Sequence, residues 1–305
     1  MSELHHVPLT ARGLLRLTGA DARPFLQGLI SNDIDRLAPD RALYAALLTP
    51  QGKYLFDFLL HAQADGAVLL DAERERLPAL RQRLLLYRLR AQVAIEPVEE
   101  ALAVLAVIGE DAPARLGLPP EAGAARAEAD ALLAVDPRLA GLGVRVILPP
   151  AAVPDFCRRH ALQPGEFADW DRLRLSLAVP DGTRDLVVER SLLLESGFEE
   201  LNGVSFAKGC FVGQELTART KHRALIKKRL VPVRAHGPLP APGTPILRQG
   251  RDAGELRSGL DGLALALLRL EQLTPAAEAK DGLEAAGTPL TPEPPAWLAA
   301  VLPAA

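Results

Sequence analysis

One short stretch of the chain, AKGCFVGQELTART at residues 207–220, contains the side chains best suited to chemistry. Cys210 follows Lys208 and Gly209 there, and Gly213 comes soon after. Glycines permit backbone conformations that are closed to other residues, and they let a ligand or partner approach the main chain closely. The residues after Gly213 favour a helix, and a thiol near a helix N-terminus and a lysine is stabilised as the thiolate. The sequence leaves two alternatives: a reactive or metal-touching thiol, or a small half-buried side chain that fills space beneath a tight turn.

The chemistry of a lone thiol is limited by the other residues that it needs. A Cys–His nucleophile needs a histidine that the fold brings close, and none of the six histidines stands in a motif. An iron–sulfur cluster held by the protein alone needs four thiolates, whereas the chain has only Cys157 and Cys210, with no CxxC. Cys210 could still supply one ligand to a cluster shared with a partner or a small thiol. We interpret Cys157 as an ordinary reduced cysteine.

A basic run follows the glycines directly, with six cations in eleven positions and no acid among them. Its members are Arg219, Lys221, Arg223, Lys227, Lys228 and Arg229. Such a run is by default a solvated helix face, but it is also able to hold a polyanionic ligand or an acidic protein surface.

The composition of the chain argues against several classes of protein. A net charge of −3 over 305 residues does not fit a chain-wide nucleic-acid surface, which needs a basic excess. No uncharged apolar run is long enough to cross a bilayer, and the N-terminus lacks the basic and apolar regions of a secretory signal. We therefore expect no membrane span, no nucleic-acid partner, and a reducing, cytoplasmic location for the two cysteines.

Apolar runs and turn signals predict the elements that position these residues. Residues 13–34 favour a strand, a turn at Gly19 and a helix capped by Asp21. The pattern G-x-D-A-x-x-x-L recurs at residues 109–116, which indicates two α+β units in the first half of the chain. Leucines at helical spacing follow at residues 77–85, with arginines that we interpret as a solvated face.

Changes in composition divide the chain into four regions. We expect an N-terminal α+β domain over residues 1–95. A second α+β domain should cover residues 96–228, with a strand–helix unit followed by a helix and the cysteine segment. Many short apolar runs and turn residues predict a small β-domain over residues 229–285. The Pro/Ala-rich residues 286–305 predict a loosely held tail.

The region around Cys210 resembles the signature of a known family. LNGVSFAKGCFVGQELTARTKHRALIKKRLVPV is similar to the pattern K-G-C-[YF]-x-G-Q-E-x-x-A-R of the YgfZ family. That family comprises folate-binding iron–sulfur maturation factors related to the glycine-cleavage T-protein, an aminomethyltransferase. The sequence of this region is especially similar to that of the mitochondrial branch, which serves [4Fe-4S] assembly. Weaker likeness covers residues 7–272, so the tail lies outside it.

The resemblance implies a fold and a set of site residues. The fold is an α+β, three-domain, aminomethyltransferase-like ring with two α+β domains and a small C-terminal β-domain. Cys210 is the functional thiol. Glu195 looks like the glutamate that binds the pterin, a role that suits a carboxylate because it accepts two N–H donors at once. The residues that the signature assigns to a tetrahydrofolate site are Lys208, Gly209, Gly213, Gln214, Glu215 and Arg219.

Two departures from the family pattern bear on catalysis. Aminomethyltransferases use an aspartate near the folate N5, and Asp71, Glu73 and Glu75 offer no convincing match for it. This departure weighs against aminomethyl transfer more than against folate binding. Phe211 replaces the commoner tyrosine of the signature, which removes a hydroxyl group and keeps the ring.

Three hypotheses for the function follow from the resemblance. The first is a tetrahydrofolate-binding accessory factor, with no stably bound metal, that assists assembly or repair of [4Fe-4S] clusters in client enzymes. It implies mono- or polyglutamylated folate as the ligand, and assembly proteins and client enzymes as partners of a monomer. The sulfur of Cys210 could then ligate iron transiently, attack a folate-derived one-carbon unit or dock a partner, and the sequence leaves these three alternatives open. The second is a folate-dependent aminomethyltransferase or demethylase. The third is a protein adaptor in cluster transfer that binds no folate.

Overall fold

The computed structural model of the protein describes residues 3–98, 100–222, 226–273 and 282–302, and it divides into two compact units. The first unit comprises the described residues within Met1–Thr49, Leu55–Trp170 and Leu201–Gln214. The second unit comprises those within Pro50–Tyr54, Asp171–Glu200 and Glu215–Ala305.

The strands that build the first unit form two sheets. In chain order they are β1 (His5–Pro8), β2 (Arg12–Thr18), β3 (Leu43–Leu48), β4 (Tyr54–Ala62), β5 (Val68–Glu73), β6 (Ala94–Pro97), β7 (Ala103–Ile108), β8 (Ala125–Glu128), β9 (Ala131–Val135), β10 (Val144–Leu148) and β11 (Gln163–Pro164). One sheet has five strands in the order β3-β4-β5-β2-β6, and the other has six in the order β11-β1-β7-β10-β9-β8.

The helices are short. They are α1 (Ala22–Gln27), α2 (Leu77–Arg88), α3 (Ala112–Arg115), α4 (Val153–Arg159), α5 (Phe167–Ser176), α6 (Gln214–His222) and α7 (Ala296–Ala299). Within the described ranges, no helix has the length and apolar character that a bilayer crossing requires.

The predicted strand–turn–helix of residues 13–34 is confirmed as β2, a turn at Gly19 with φ +111°, and α1. The predicted cap is wrong, because the carboxylate of Asp21 accepts a hydrogen bond from the backbone N–H of Gln92 at 2.8 Å and caps nothing. A Cβ at Gly19 would lie 2.0 Å from the carbonyl oxygen of Gln92. Gly19 and Asp21 therefore both serve to hold the segment that leads into β6.

Strand β1 joins the six-stranded sheet, where His6 lies opposite Val107 of β7 in antiparallel register. The first strand of the chain therefore pairs outside the five-stranded sheet, although the expected first domain covered residues 1–95. A pairing across about 100 residues leaves no local signal in the sequence. The expected domain boundaries otherwise stay a prediction.

A buried layer of charged side chains connects the two sheets of the first unit. Arg12 of β2 donates through Nε to Asp71 of β5 at 2.7 Å. Arg145 of β10 lies 3.5 Å from Asp71 and 3.3 Å from Asp136. Arg138 completes the layer with two hydrogen bonds to Asp136, at 2.8 and 2.9 Å. Because Arg145 contacts one carboxylate from each side, the layer fixes how the sheets face one another.

The second unit contains a closed barrel. Its strands are β12 (Lys228–Ala235), β13 (Pro245–Arg248), β14 (Arg251–Leu260), β15 (Leu263–Arg269), β16 (Leu283–Ala285) and β17 (Thr288–Pro292), in the order β12-β15-β14-β13-β16-β17. Alternate residues such as Val231, Val233 and Leu290 fill its core. The expected tail from residue 286 therefore contributes the strand that closes the barrel on β12. Beyond it, Trp297 donates to the carbonyl of Leu177 at 2.9 Å.

A fully buried arginine ties helix α5 to the barrel within the second unit. The guanidinium of Arg174 donates to Asp171 at 2.7 Å, to Asp185 at 2.5 Å and to the hydroxyl of Ser258 at 2.6 Å. With the carbonyl of Val179 at 3.5 Å, the guanidinium has four acceptors, and such pairing is the condition under which a charge is tolerated in a core.

Replacing Asp136 with Asn is expected to remove an acid-sensitive part of the stability. Burial alone would raise the pKa of Asp136, but the adjacent Arg138 and Arg145 lower it to about 2. A depressed carboxyl pKa contributes stability that is complete above about pH 4 and is lost as the pH falls; the full loss is about 2 kcal/mol, roughly half of it by pH 3. Urea unfolding near neutral pH and near pH 3 should show a smaller loss for the variant than for the wild type.

The matched control for Asp136 is Glu293→Gln in the exposed pair with Arg234, whose side chains are both 42% exposed. An exposed pair contributes about 0–1 kcal/mol, so this variant should keep the acid sensitivity of the wild type. Equal acid sensitivity of all three proteins would contradict the assignment to Asp136.

Candidate functional site

The candidate thiol lies in a stretch without helix or strand, residues 202–213, which we call the cysteine loop. Cys210 and Gly209 are exposed there, whereas the ring of Phe211 is buried. The interpretation of Cys210 as a half-buried packing residue is therefore wrong. Cys157 is partly buried against the core of the six-stranded sheet, and this burial raises the pKa of its thiol.

The cysteine loop is bound to residues 28–32, which follow α1 and which we call the anchor loop. The hydroxyl of Ser31 donates to the carbonyl of Gly203 at 2.6 Å and accepts from a backbone N–H of β3. The amide of Asn32 donates to the carbonyl of Asn202 at 2.7 Å and, at the same distance, to a carbonyl of β3. Both side chains are buried, so each joins the cysteine loop to the five-stranded sheet.

Two backbone hydrogen bonds extend this attachment along the loop. The N–H of Ser205 donates to the carbonyl of Ser31 at 3.0 Å, and the N–H of Val212 donates to the carbonyl of Gly28 at 3.1 Å. The second bond lies just beyond Cys210, so the loop is held on both sides of the thiol.

Lys208 supplies the last two attachments. Its ammonium donates to the carbonyls of Ile30 and Asn32 at 2.8 and 2.7 Å. Burial of the ammonium lowers the pKa of Lys208 to about 8, although Asp33 and Asp35 oppose the shift. Among the described residues, six hydrogen bonds thus join the two loops. The role that the structure gives to Lys208 is to fix the cysteine loop.

The two glycines of the cysteine loop differ in backbone conformation. Gly213 has φ +82°, a conformation that L side chains rarely adopt. Gly209 lies outside that region, and a Cβ built on it would meet nothing within 4 Å. The fold therefore requires glycine at position 213 and leaves open space beside position 209, next to the exposed thiol.

Helix α6 begins directly after the cysteine loop. The side chain of Gln214 accepts a hydrogen bond from the N–H of Phe211 at 3.2 Å, which closes the turn. The ammonium of Lys208 lies 5.1 Å from the centre of the Phe211 ring. Glu215 and Arg219, both in the second unit, are exposed, and their side chains form no hydrogen bond or ion pair with any described residue.

The basic run separates into paired and exposed members. Arg229 is buried and donates to the carbonyl of Leu194 at 2.8 Å and to the carboxylate of Glu200 at 2.7 Å. Lys221 is exposed and pairs with Glu199 at 2.5 Å. These two cations have internal partners, and Arg229 is unavailable to a polyanionic ligand.

Of the remaining cations in that run, Arg219 and Lys227 are exposed and Lys228 is half-buried. Arg223 lies outside the described residues. The part of the run that a ligand can reach is therefore smaller than the sequence implied.

Glu195 lies in the second unit, in the single helical turn Leu194–Ser196. Its side chain is half-buried, and this burial raises the pKa of the carboxyl above its ordinary value. Lys228, through its ammonium and its backbone N–H, and Lys53 oppose the shift. Glu195 is thus a partly desolvated carboxylate with three cations near it, Lys228, Lys53 and Arg229, which suits the binding of N–H donors.

Asp71 is not suited to the role of the aspartate that aminomethyltransferases use near the folate N5. It is fully buried, and its carboxylate is bonded to Arg12 and faces Arg145. A carboxylate held by two arginines is a weak base. The structure does not support Glu73 or Glu75 as that catalytic acid either.

Comparison with known proteins first defines the class. The structure matches the crystal structure of glycine cleavage system aminomethyltransferase T from Bartonella henselae with a TM-score of 0.76, covering 97% of this chain and 86% of that one at 16% identity. At this identity the likeness shows the fold alone. Residues 227–300 match the C-terminal beta-barrel domain of CAF17. The protein therefore has the aminomethyltransferase fold with a C-terminal barrel, which confirms the predicted α+β fold class and its β-domain.

Curated relatives identify the family. The chain is 39% identical over 290 residues to the mitochondrial iron-sulfur cluster assembly factor IBA57 of Homo sapiens, covering 87% of this chain and 77% of the relative. It is 31% identical over 306 residues to the IBA57 homolog of Mycosarcoma maydis, covering 86% and 73%. The chain belongs to the IBA57 family, which confirms the resemblance of its signature to that branch.

The expectation of a cytoplasmic location is wrong. The names of both relatives place them in mitochondria. The expectation depended on two unpaired cysteines, and these indicate a reducing environment without distinguishing one such compartment from another.

The two glycines offer a matched pair of substitutions. Gly213→Ala is expected to lower the free energy of unfolding by about 1–2 kcal/mol, because alanine must adopt a strained positive φ. Gly209→Ala should change it by less than about 0.5 kcal/mol, since the new methyl group meets no atom. Urea unfolding of both variants checks this difference. Equal losses would contradict the described backbone of the loop.

Proposed function

We propose that this protein assists the assembly or repair of [4Fe-4S] clusters in client enzymes, as an accessory factor. The observation that carries the proposal is the exposed thiol of Cys210 on a loop that six hydrogen bonds fix to the anchor loop. An exposed thiol held on both sides is suited to meet a ligand brought by another protein. The names of the relatives, iron-sulfur cluster assembly factors, support the same role.

In this proposal Cys210 is a transient ligand of a cluster whose other ligands come from a partner. Thiolates are the usual ligands of iron–sulfur clusters, and the thiol releases its proton when the sulfur binds iron. In the part of the chain that the structure describes, no three His, Cys, Asp or Glu side chains are grouped to hold a metal ion. The partners we propose are therefore assembly proteins that carry the cluster and client enzymes that receive it.

We further propose that tetrahydrofolate binds at Glu195. The half-buried carboxylate fits the N–H donors of a pterin edge, and Lys53 and Lys228 supply positive charge near it. When bound, tetrahydrofolate supplies a carrier for one-carbon units. We assign exposed Glu215 and Arg219 to ligand or partner contact, and open space beside Gly209 to the approach of a partner.

The other signature residues have a different part in this proposal. Lys208 and Gln214 are hydrogen-bonded within or below the loop, and Gly213 turns it into α6. We propose that these three residues shape the cysteine loop. A folate-dependent transferase activity is not favoured, because the carboxylate of Asp71 is held by Arg12.

Replacing Cys210 with Ser is expected to abolish most of the cellular function. In cells deleted for this protein, the wild type should restore the activities of several [4Fe-4S] enzymes and the variant should restore little, because an alcohol is a poor iron ligand compared with a thiolate. Cys157→Ser is the matched control and should behave as the wild type. Full rescue by Cys210→Ser would contradict the role of the thiol, and failure of the wild type would contradict the proposed function itself.

Replacing Glu195 with Gln is expected to weaken tetrahydrofolate binding by about tenfold to a hundredfold, as loss of charge-assisted hydrogen bonds does. Binding to the wild type should strengthen as the pH rises through the raised pKa of Glu195, because only the ionised carboxylate accepts both N–H donors. The variant should lack this dependence. Calorimetric titration across pH measures both effects.

Glu121→Gln, at an exposed position of the first unit, is the control for that titration and should bind like the wild type. No binding of tetrahydrofolate to the wild type would support the adaptor hypothesis in place of the folate site. Such a result would leave the Cys210 experiment unaffected.

A further inference from the structure

The end of helix α2 exposes two leucines that the core does not use. Leu77, Leu80 and Leu84 are buried, whereas Leu86 is 66% and Leu89 is 87% exposed. Leu86 lies about 200° around the helix from Leu84, on the side away from the core. Of the four large hydrophobic side chains exposed in the described chain, these two lie within one helical turn of each other.

Leu89 has a strained backbone conformation in addition to an exposed apolar side chain. Its backbone has φ 45° and ψ −108°, a conformation that favours glycine. Glycine at this position would relieve the strain and remove an exposed apolar side chain. A leucine here serves neither the helix nor the core, and such a residue is typical of a contact surface.

The turn that presents Leu89 is held in place. Arg81 donates to the carbonyl of Ile95 at 2.8 Å, the N–H of Ala91 donates to the carbonyl of Arg88 at 2.8 Å, and the N–H of Gln92 donates to Asp21. These bonds fix residues 88–93 before any partner arrives, which reduces the entropy lost on binding.

The segment that carries the two leucines is basic in its own sequence. Residues 77–95 contain four arginines and no acid or lysine. The guanidinium groups of Arg81 and Arg88 donate to backbone carbonyls, whereas those of Arg83 and Arg90 form no hydrogen bond or ion pair with a described residue. Asp21, whose carboxylate accepts the N–H of Gln92, adds one negative charge beside this turn. We call Arg83, Leu86, Leu89 and Arg90 the α2 patch.

We propose that the α2 patch docks an acidic protein segment, whose apolar side chains cover Leu86 and Leu89 and whose carboxylates pair with Arg83 and Arg90. The arginine fork suits bidentate pairing with carboxylates. The exposed Leu89, on a turn that is fixed in place, fits a protein surface better than a fluid lipid surface. Two leucines are also fewer than the long apolar face that membrane-surface helices bury. The proposal revises our interpretation of these arginines as a solvated face, and it is independent of the roles of Cys210 and Glu195.

The test uses the full chain and fluorescence anisotropy with three probes. The first is a short synthetic amphipathic helix with leucines on one face and glutamates on the other; the second is the same peptide with glutamine for each glutamate; the third is vesicles of phosphatidylcholine and phosphatidylserine. Binding of the glutamate peptide to the wild type should be about tenfold tighter than binding of the glutamine peptide, with vesicles bound weakly or not at all.

Variants distinguish specific binding at the α2 patch from nonspecific electrostatic or hydrophobic association. Leu89→Gly and Arg90→Glu should each weaken the glutamate peptide about tenfold or more, and the glycine variant should keep or raise the midpoint of thermal unfolding. Val301→Asn and Arg251→Glu, which change exposed residues outside the patch, should leave binding unchanged.

Several results would overturn the proposal. They are no measurable binding of the glutamate peptide to the wild type, an affinity of Leu89→Gly equal to that of the wild type, and vesicle binding that requires Leu86 and Leu89 in place of peptide binding. Self-association of the wild type that Leu89→Gly abolishes would assign the patch to a second copy of the chain and would also overturn it.

Discussion

The attachment of the cysteine loop to the anchor loop is the constraint on which the site depends. The ammonium of Lys208 takes two backbone carbonyls of the anchor loop, and Ser31 and Asn32 return hydrogen bonds to the start of the cysteine loop. These contacts are between residues 170 to 178 positions apart in the chain. Without them, a loop lacking helix and strand would have no fixed place for the thiol of Cys210.

The rest of the first unit supports that attachment. Ser31 and Asn32 also bond to strand β3, so the anchor loop moves only with the five-stranded sheet. The buried layer around Arg145 fixes that sheet against the second one. The exposed thiol is thus presented by a scaffold that buried hydrogen bonds and ion pairs hold together. The aminomethyltransferase fold of this chain thus holds an exposed cysteine on a fixed loop.

Local sequence patterns predict many of the elements of this fold. They do not predict the contacts between residues that are far apart in the chain. The strand at β2, the helix α1 and the small β-domain follow from periodicity and turn residues. The signature located Cys210, but nothing in LISNDI marked Ser31 and Asn32 as its support. Their signal, a polar pair directly after the apolar Leu29 and Ile30, is meaningful only once the loop that accepts their hydrogen bonds is known. The pairing of β1 with β7 and the closure of the barrel by β17 were missed for the same reason.

A double-mutant comparison measures whether the anchor loop acts by presenting the thiol of Cys210. Lys208→Met, Cys210→Ser and the double variant would be compared by the [4Fe-4S] enzyme activities that they restore in cells deleted for this protein. If Lys208 serves only to hold Cys210, both single variants lose most of the activity and the double variant is no worse than Cys210→Ser. Losses that multiply in the double variant, or a Cys210→Ser protein that remains active while Lys208→Met is not, would contradict the account.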